Sequence, residues 1–502
     1  MCLQRLRIER IHWLMFFVWL FGIYSALQQL FPIFFNLSPT WRCNGTEEEF
    51  AKNCTAYQSC PDGQVEVQSA AFFSFVEEFQ LFCGADAYLA TVISTMQCVG
   101  MVIGSVVFGQ LGDTFGRKRV SLAAIALLLL AGPASGLSTS WQMMAAIRTA
   151  VSMAVGGEVV VVYTYVMELI RPEQRMFLRC FFNWGWTRLA FTLICWLSHT
   201  WRWSALFTSV PLVVQFAAVL LLVPESPTWL ISKGRAEEAQ LAQDRIARFN
   251  GAQPVPSNEP PPQSNVTEAA SQRPARVYTA VDLFSTLSMT RRTFVLCTLF
   301  FTSSVCGFAI DLNSRNLSGD FYANQLAFGL VTALSKLVIF ALDTAVPQFS
   351  RRLLHQVPQT VVVVIFCATI GLVSLEKVPP WAIVAVNVLG LMFIEYTWDA
   401  CFLCAPEIFP TEMRSIGLGF CSMVALVGAT LAPQITFLQM IWPAAPFAAV
   451  AGLGLVCLII SCVLLPETKG KELMSIGDET MSPNQEMDEY ELHKMPSETH
   501  KD

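Results

Sequence analysis

The chain has 502 residues, 54% of them hydrophobic and only 14% charged, with a net charge of −6. Soluble domains carry about 25% charged residues, so a soluble protein is excluded, and the 37 Phe and 13 Trp exclude a disordered or collagen-like chain. An integral membrane protein made of helices remains, because the apolar runs are far longer than the alternating strands of a barrel.

At roughly 20 apolar residues per crossing, twelve spans fit the chain. They are predicted at 13–35, 88–110, 120–137, 141–163, 177–197, 203–223, 293–310, 322–342, 360–375, 381–402, 415–437 and 443–465. The fold class is therefore an all-α membrane protein with two six-helix halves, 13–223 and 293–465. Residues 1–12 form a short N-terminus, 36–87 a large loop, 224–292 a linker and 466–502 a polar tail. Within the linker, a polar helix is predicted at 236–249, followed by a Pro-, Ser- and Asn-rich stretch at 251–273 that cannot bury a core.

Basic residues set the topology, since short cytoplasmic loops are rich in them. Arg5, Arg7 and Arg10 precede the first span, Arg117, Lys118 and Arg119 follow the second, Arg171, Arg175 and Arg179 follow the fourth, and Arg351 and Arg352 follow the eighth. The first alternate loop is acidic, so both termini are predicted to be cytoplasmic and 36–87 extracellular. That loop holds Cys43, Cys54, Cys60 and Cys83, which an oxidising compartment would pair in one of three connectivities. Its sequons at Asn44 and Asn53 are glycosylation candidates, whereas the one at Asn265 faces the cytosol and stays bare. Cys401 and Cys404 read as small buried apolar side chains.

The halves repeat their signals in order. Glu168 and Arg175 at the end of the fourth span recur as Glu407 and Arg414, 239 residues on, and Pro224-Glu225-Ser226 recurs as Pro466-Glu467-Thr468. Gly109, Asp113, Gly116, Arg117 and Lys118 follow the second span; a worn copy, Asp343 with Arg351 and Arg352, follows the eighth. A carboxylate at a helix end can meet a guanidinium and the positive N-terminus of a helix in the other half, so these residues are expected to form a cytoplasmic gate.

The run Gly-Asp-x-x-Gly-Arg-Lys-Arg, with Pro-Glu-Ser-Pro and Pro-Glu-Thr-Lys-Gly closing each half, resembles the major facilitator superfamily. Within it the chain resembles the organic cation, anion and carnitine transporters. The features are the external loop opening Pro39-Thr40-Trp41-Arg42-Cys43, Glu78 to Cys83, Trp201-Arg202-Trp203, Asn313 to Asp320 and Glu407 to Arg414. The resemblance covers nearly the whole chain and implies transport of a small organic ion across the plasma membrane by alternating access. Thr114 stands where that family usually has a base.

Ionisable groups inside spans are costly and are functional candidates. They are Arg148 and Glu158 in the fourth span, Arg188 in the fifth, Lys336 in the eighth, and Glu395 with Asp399 in the tenth. Glu395 and Asp399 share a helix face and could hold a cationic head, with Tyr396 and Trp398 offering aromatic faces. Glu158 could pair with Arg188, and Lys336 with either acid. By resemblance, Asp399 matches an acid of cation carriers, Lys336 a lysine of anion carriers, and Arg148 a structural or gating arginine, while Leu426 replaces the charged group of either class. A cation or carnitine-like zwitterion is favoured; an organic anion carrier and a transport-inactive receptor or scaffold are the alternatives. The sequence holds no P-loop, metal-spaced His or Cys set or nucleophile elbow, so no enzyme activity, cofactor, metal or nucleic acid is expected. The partners are the substrate and the bilayer.

Overall fold

The computed structural model describes residues 8–43, 50, 54, 60, 65–68, 70–81, 83–252, 279–345, 351–375, 379–410 and 413–466. Every predicted span is helical, because only a helix satisfies its own backbone groups in hydrocarbon. The first half contains α1 (Arg10–Ala26, continued by short turns to Phe35), α2 (Gly84–Phe115), α3 (Arg117–Ser135) and α4 (Trp141–Leu169). It goes on through α5 (Pro172–Phe181), α6 (Trp184–Ser198), α7 (Trp201–Phe207) and α8 (Val210–Leu221). The linker forms α9 (Pro227–Ser232) and α10 (Ala236–Asn250). In the second half, α11 (Leu287–Asn313), α12 (Phe321–Ala345), α13 (Arg351–Val373) and α14 (Pro380–Ile408) are followed by α15 (Arg414–Ala429), α16 (Ala432–Phe437) and α17 (Ala445–Leu464).

Among the described residues, ten helical stretches are long and apolar enough to cross a membrane. Of the other two expected spans, one is divided and one is a single helix. The fifth is not one helix: the chain breaks after Phe181, and Asn183 Oδ1 caps α6 by accepting from Gly185 N at 2.9 Å. The eighth is the single helix α12, which carries Asn324, Gln325 and Lys336 within its apolar run. Helices also outrun the predicted spans. The motif from Gly109 to Phe115 is the end of α2 rather than a loop, and α11 continues to Asn313.

Small residues set the helix spacing. A Cβ at Gly104 would stand 2.0 Å from Met153 O, and one at Gly156 would stand 2.2 Å from Met101 O, so α2 and α4 touch backbone to backbone. The halves meet along α6 with α12, and along α2 with α15 and α16. Above the bundle, β1 (Thr40–Cys43) pairs antiparallel with β2 (Val65–Gln68). The disulfides Cys43–Cys60 and Cys54–Cys83 select one of the three connectivities. Asn44 and Asn53 lie outside the described residues. On the opposite, basic face, α10 realises the predicted linker helix. Its Asn250 donates to Glu9 Oε2 at 2.5 Å, and Glu9 pairs with Arg171 at 2.7 Å.

Candidate functional site

Among the described residues, two charge clusters lie inside the bundle, one of them with a buried lysine between two partly buried acids. In the first, Lys336 of α12 reaches across to α14, with Nζ 2.7 Å from Asp399 Oδ2 and 2.9 Å from Glu395 Oε2. The four-residue spacing puts both carboxylates on one face of α14, and the ammonium also donates to Glu395 O at 3.1 Å. One cation thus serves two anions, and the ionised cluster carries a surplus negative charge. The expected aromatics divide. Tyr396 joins the cluster's edge by donating to Ser335 O at 3.1 Å, whereas Trp398 stacks on Phe402 and meets Phe300 edge-on.

The second cluster corrects an expected pairing. Arg188 does not meet Glu158; from α6 it crosses to the other half, forms an ion pair with Asp311 of α11, and donates to Gln325 Oε1 of α12 at 2.8 Å. Its guanidinium lies 5.1 Å from the Phe328 ring centre. Asp311 escaped the sequence reading because the seventh span was closed at residue 310, whereas α11 holds three more residues. Glu158 instead faces α8, accepting from Gln215 Nε2 at 2.5 Å, and is fully buried.

Arg148 is also fully buried, and among the described residues no acid pairs with it. It donates to Gln97 Oε1 and Gln28 Oε1, both at 3.0 Å, and to Gln28 O, with the Phe31 ring at 4.8 Å. Every one of these partners is in the first half, which makes Arg148 a cross-brace of α1, α2 and α4.

The repeated motif residues assemble on the basic face. Asp113 pairs with Arg117 at 2.6 Å, and Arg117 Nε reaches Glu168 Oε1 at 3.3 Å. Glu225 Oε1 accepts from the backbone N–H of Lys118 at 3.0 Å and of Ser226 at 3.1 Å, capping the start of α3. Gly116, at φ +107°, makes this possible: a Cβ there would stand 2.5 Å from Glu225 Oε2. Gly109 faces Val160 at the α2–α4 contact. These bonds all stay within the first half; among the described residues, none of them makes the cross-half contact expected of a closed gate. Arg175 is exposed and donates to Met167 O rather than to Glu168. In the second half Glu407 ends α14 and Arg414 begins α15, where Arg414 Nε and Nη2 are buried without a hydrogen-bond partner among the described residues. Glu467 lies outside the described residues, and so does the side chain of Asp343.

On the disulfide face, by contrast, the halves are joined. Arg315 donates to Pro32 O at 3.2 Å, Phe34 meets Phe321 edge-on at 5.4 Å, and Tyr322 donates to Ala71 O at 3.5 Å. Deeper in, Gln434 donates to Thr95 at 3.0 Å. Arg315 was not among the predicted site residues.

Two six-helix halves with charged groups in and beside their seam, joined on the disulfide face and also touching where Arg179 lies 4.3 Å over the Phe402 ring, are the architecture of a membrane carrier of the major facilitator type. The family model described as "Sugar (and other) transporter" matches residues 46–479. The chain is 39% identical to uncharacterized protein F23F12.3 of Caenorhabditis elegans, over 98% of each chain. It is 30% identical to solute carrier family 22 member 7 of Bos taurus, over 82% of this chain and 74% of that one. It is 29% identical to the organic cation transporter protein of Drosophila melanogaster, over 84% and 75%. Among solved structures, the inward-open xylose transporter XylE from E. coli superposes with a TM-score of 0.64 at 15% identity, covering 92% of this chain and 99% of that one. The last likeness bears on fold alone. The chain belongs to the sugar (and other) transporter family of the major facilitator superfamily and, within it, to solute carrier family 22. It is a multi-pass membrane transporter of a small molecule.

Proposed function

We propose that the protein carries small organic ions by alternating access, with cations or carnitine-like zwitterions favoured. The surplus carboxylate of the Lys336–Glu395–Asp399 cluster supports this reading above all. An incoming cation can take up the uncompensated charge, whereas an anion must first strip Lys336 of two carboxylates at 2.7 and 2.9 Å. Asp399 and Glu395 then contact the cationic head, Tyr396 holds the cluster's edge, and Lys336 keeps the two acids apart when the site is empty. The residues 13–223 and 293–465 rock against each other around this array.

The basic face is cytoplasmic in this proposal, and the disulfide-bearing face external, with both termini inside the cell at the plasma membrane. The segregation of Arg117, Lys118, Arg119, Arg171 and Arg175 from the disulfides supports that orientation. In this state the outer contacts are made, and the Asp113, Arg117, Glu168 and Glu225 network waits for partners across the seam.

The test is uptake by expressing cells of a labelled quaternary ammonium ion, carnitine and an aromatic carboxylate, with the membrane potential set and then collapsed. Preferred uptake of either of the first two is expected. Preference for the carboxylate would overturn the charge class and hand the site to Lys336 and Arg188. No uptake of any probe, with the protein at the cell surface, would favour a receptor or scaffold.

A further inference from the structure

A separate cavity of about 230 Å³ opens on the basic face, where the first turn of α3 meets α9 and α10. Its lining includes Lys118, Arg119, Arg235, Trp229, Phe115 and Leu122. Glu225 and Glu238 also line it, but both are already engaged. Glu225 caps α3, and Glu238 holds Arg235 through bonds of 2.7 and 2.6 Å. Lys118 spends one donor on Leu220 O at 2.9 Å and keeps two. Arg119 is exposed and has no partner among the described residues. Arg245 adds charge from behind while donating to Leu221 O at 2.7 Å. Four cations therefore meet two committed carboxylates.

The cavity also sits at a particular depth. One membrane-crossing stretch ends at Phe115, the next begins at Arg117 and a third ends at Leu221, so its mouth lies at the edge of the hydrocarbon. Phe115 is 55% exposed there, giving the basic pocket an apolar lip. The walls are set by packing: Trp229 Nε1 donates to Asp113 O at 3.0 Å, and Gly116 lets the backbone lie against the indole. A soluble anion would use the cations and waste the lip; a neutral lipid would do the reverse.

We infer that this cavity binds the phosphate headgroup of an anionic phospholipid, with Arg119, Lys118 and Arg235 on the phosphate and Phe115 and Leu122 against the first acyl carbons. The site is independent of which ion is carried. It braces α3 against α9 and α10, so an occupied site stabilises the first half.

Native mass spectrometry and thermal unfolding of the detergent-purified full chain test this, using dioleoyl phosphatidylglycerol, dioleoyl phosphatidylcholine and glycerol 3-phosphate as probes. Phosphatidylglycerol is expected to remain bound and raise Tm, and phosphatidylcholine to do neither. The double variant Arg119→Gln/Arg235→Gln should lose at least about fivefold of the retained phosphatidylglycerol, while Arg291→Gln, at the edge of the second half, should lose none. Should the double variant misfold, Arg119→Gln alone gives the reading, because its side chain supports nothing in the fold. Retention unchanged in these variants, or equal retention of the two lipids, would overturn the site. Displacement by equimolar glycerol 3-phosphate would overturn the lipid in favour of a free phosphate.

Discussion

The two charge clusters inside the bundle differ in what they join. Lys336, Glu395 and Asp399 connect α12 to α14 inside one half and hold more anion than cation. Arg188 and Asp311 connect α6 to α11 across the seam, are balanced, and are completed by Gln325. If the halves rock as proposed, a balanced pair between them is a bond to be broken and remade with each cycle. An unbalanced cluster within one body survives the motion and still lacks a counter-charge, which is what a ligand supplies. On the function proposed above, the difference separates a site from a latch, although single residues of either would look alike as charges in a span.

Substitutions that affect one cluster alone sharpen this contrast. The largest effect is expected from Asp399→Asn: it removes the surplus charge, and cation uptake should fall by about 100-fold, or ~2.7 kcal/mol, with surface expression intact. Near-normal uptake in that variant would take Asp399 out of the site. Next, Asp311→Asn strands Arg188 and should cost about 3 kcal/mol of stability, read as a lowered Tm in detergent. Exchanging the pair, Arg188→Asp with Asp311→Arg, should recover most of that loss; no recovery would mean that the two do not act as a latch. A comparable loss, about 2–4 kcal/mol, is expected when Cys54→Ser/Cys83→Ser opens the disulfide at the head of α2, again by Tm. Tyr396→Phe should cost only about 1 kcal/mol, the value of its bond to Ser335 O, and barely change uptake.

The disulfide-bearing cap provides a pH-dependent contrast with the charge clusters inside the bundle. Burial opposes ionisation of Glu78, but its bonds to Arg202 and Trp201 outweigh that and hold the carboxyl below its usual range. Because the folded value is the depressed one, its stabilisation is complete above the unfolded pKa and is lost as pH falls through the folded value. Thermal unfolding followed from pH 7 into the acid range should show a loss that Glu78→Gln lacks.

The chain alone determined the helices, because a membrane leaves few alternatives for a run of some 20 apolar residues, and the spacing of Glu395 and Asp399 put both acids on one helix face, although whether Lys336 meets one, both or neither was left to the tertiary structure. It marked Asp113, Arg117, Glu168 and Glu225 as one group, since a duplicated half repeats them. The tertiary structure decided the rest. Arg188 could have paired with Glu158 by any rule of charge, but α6 turns it toward the other half, and a helix end drawn three residues short concealed Asp311. Arg148 found only neutral acceptors, and Trp398 turned to aromatic neighbours. Which charges meet inside the bundle depends on helix rotation and on where the two halves touch. Those are long-range packing outcomes that no local pattern of residues encodes.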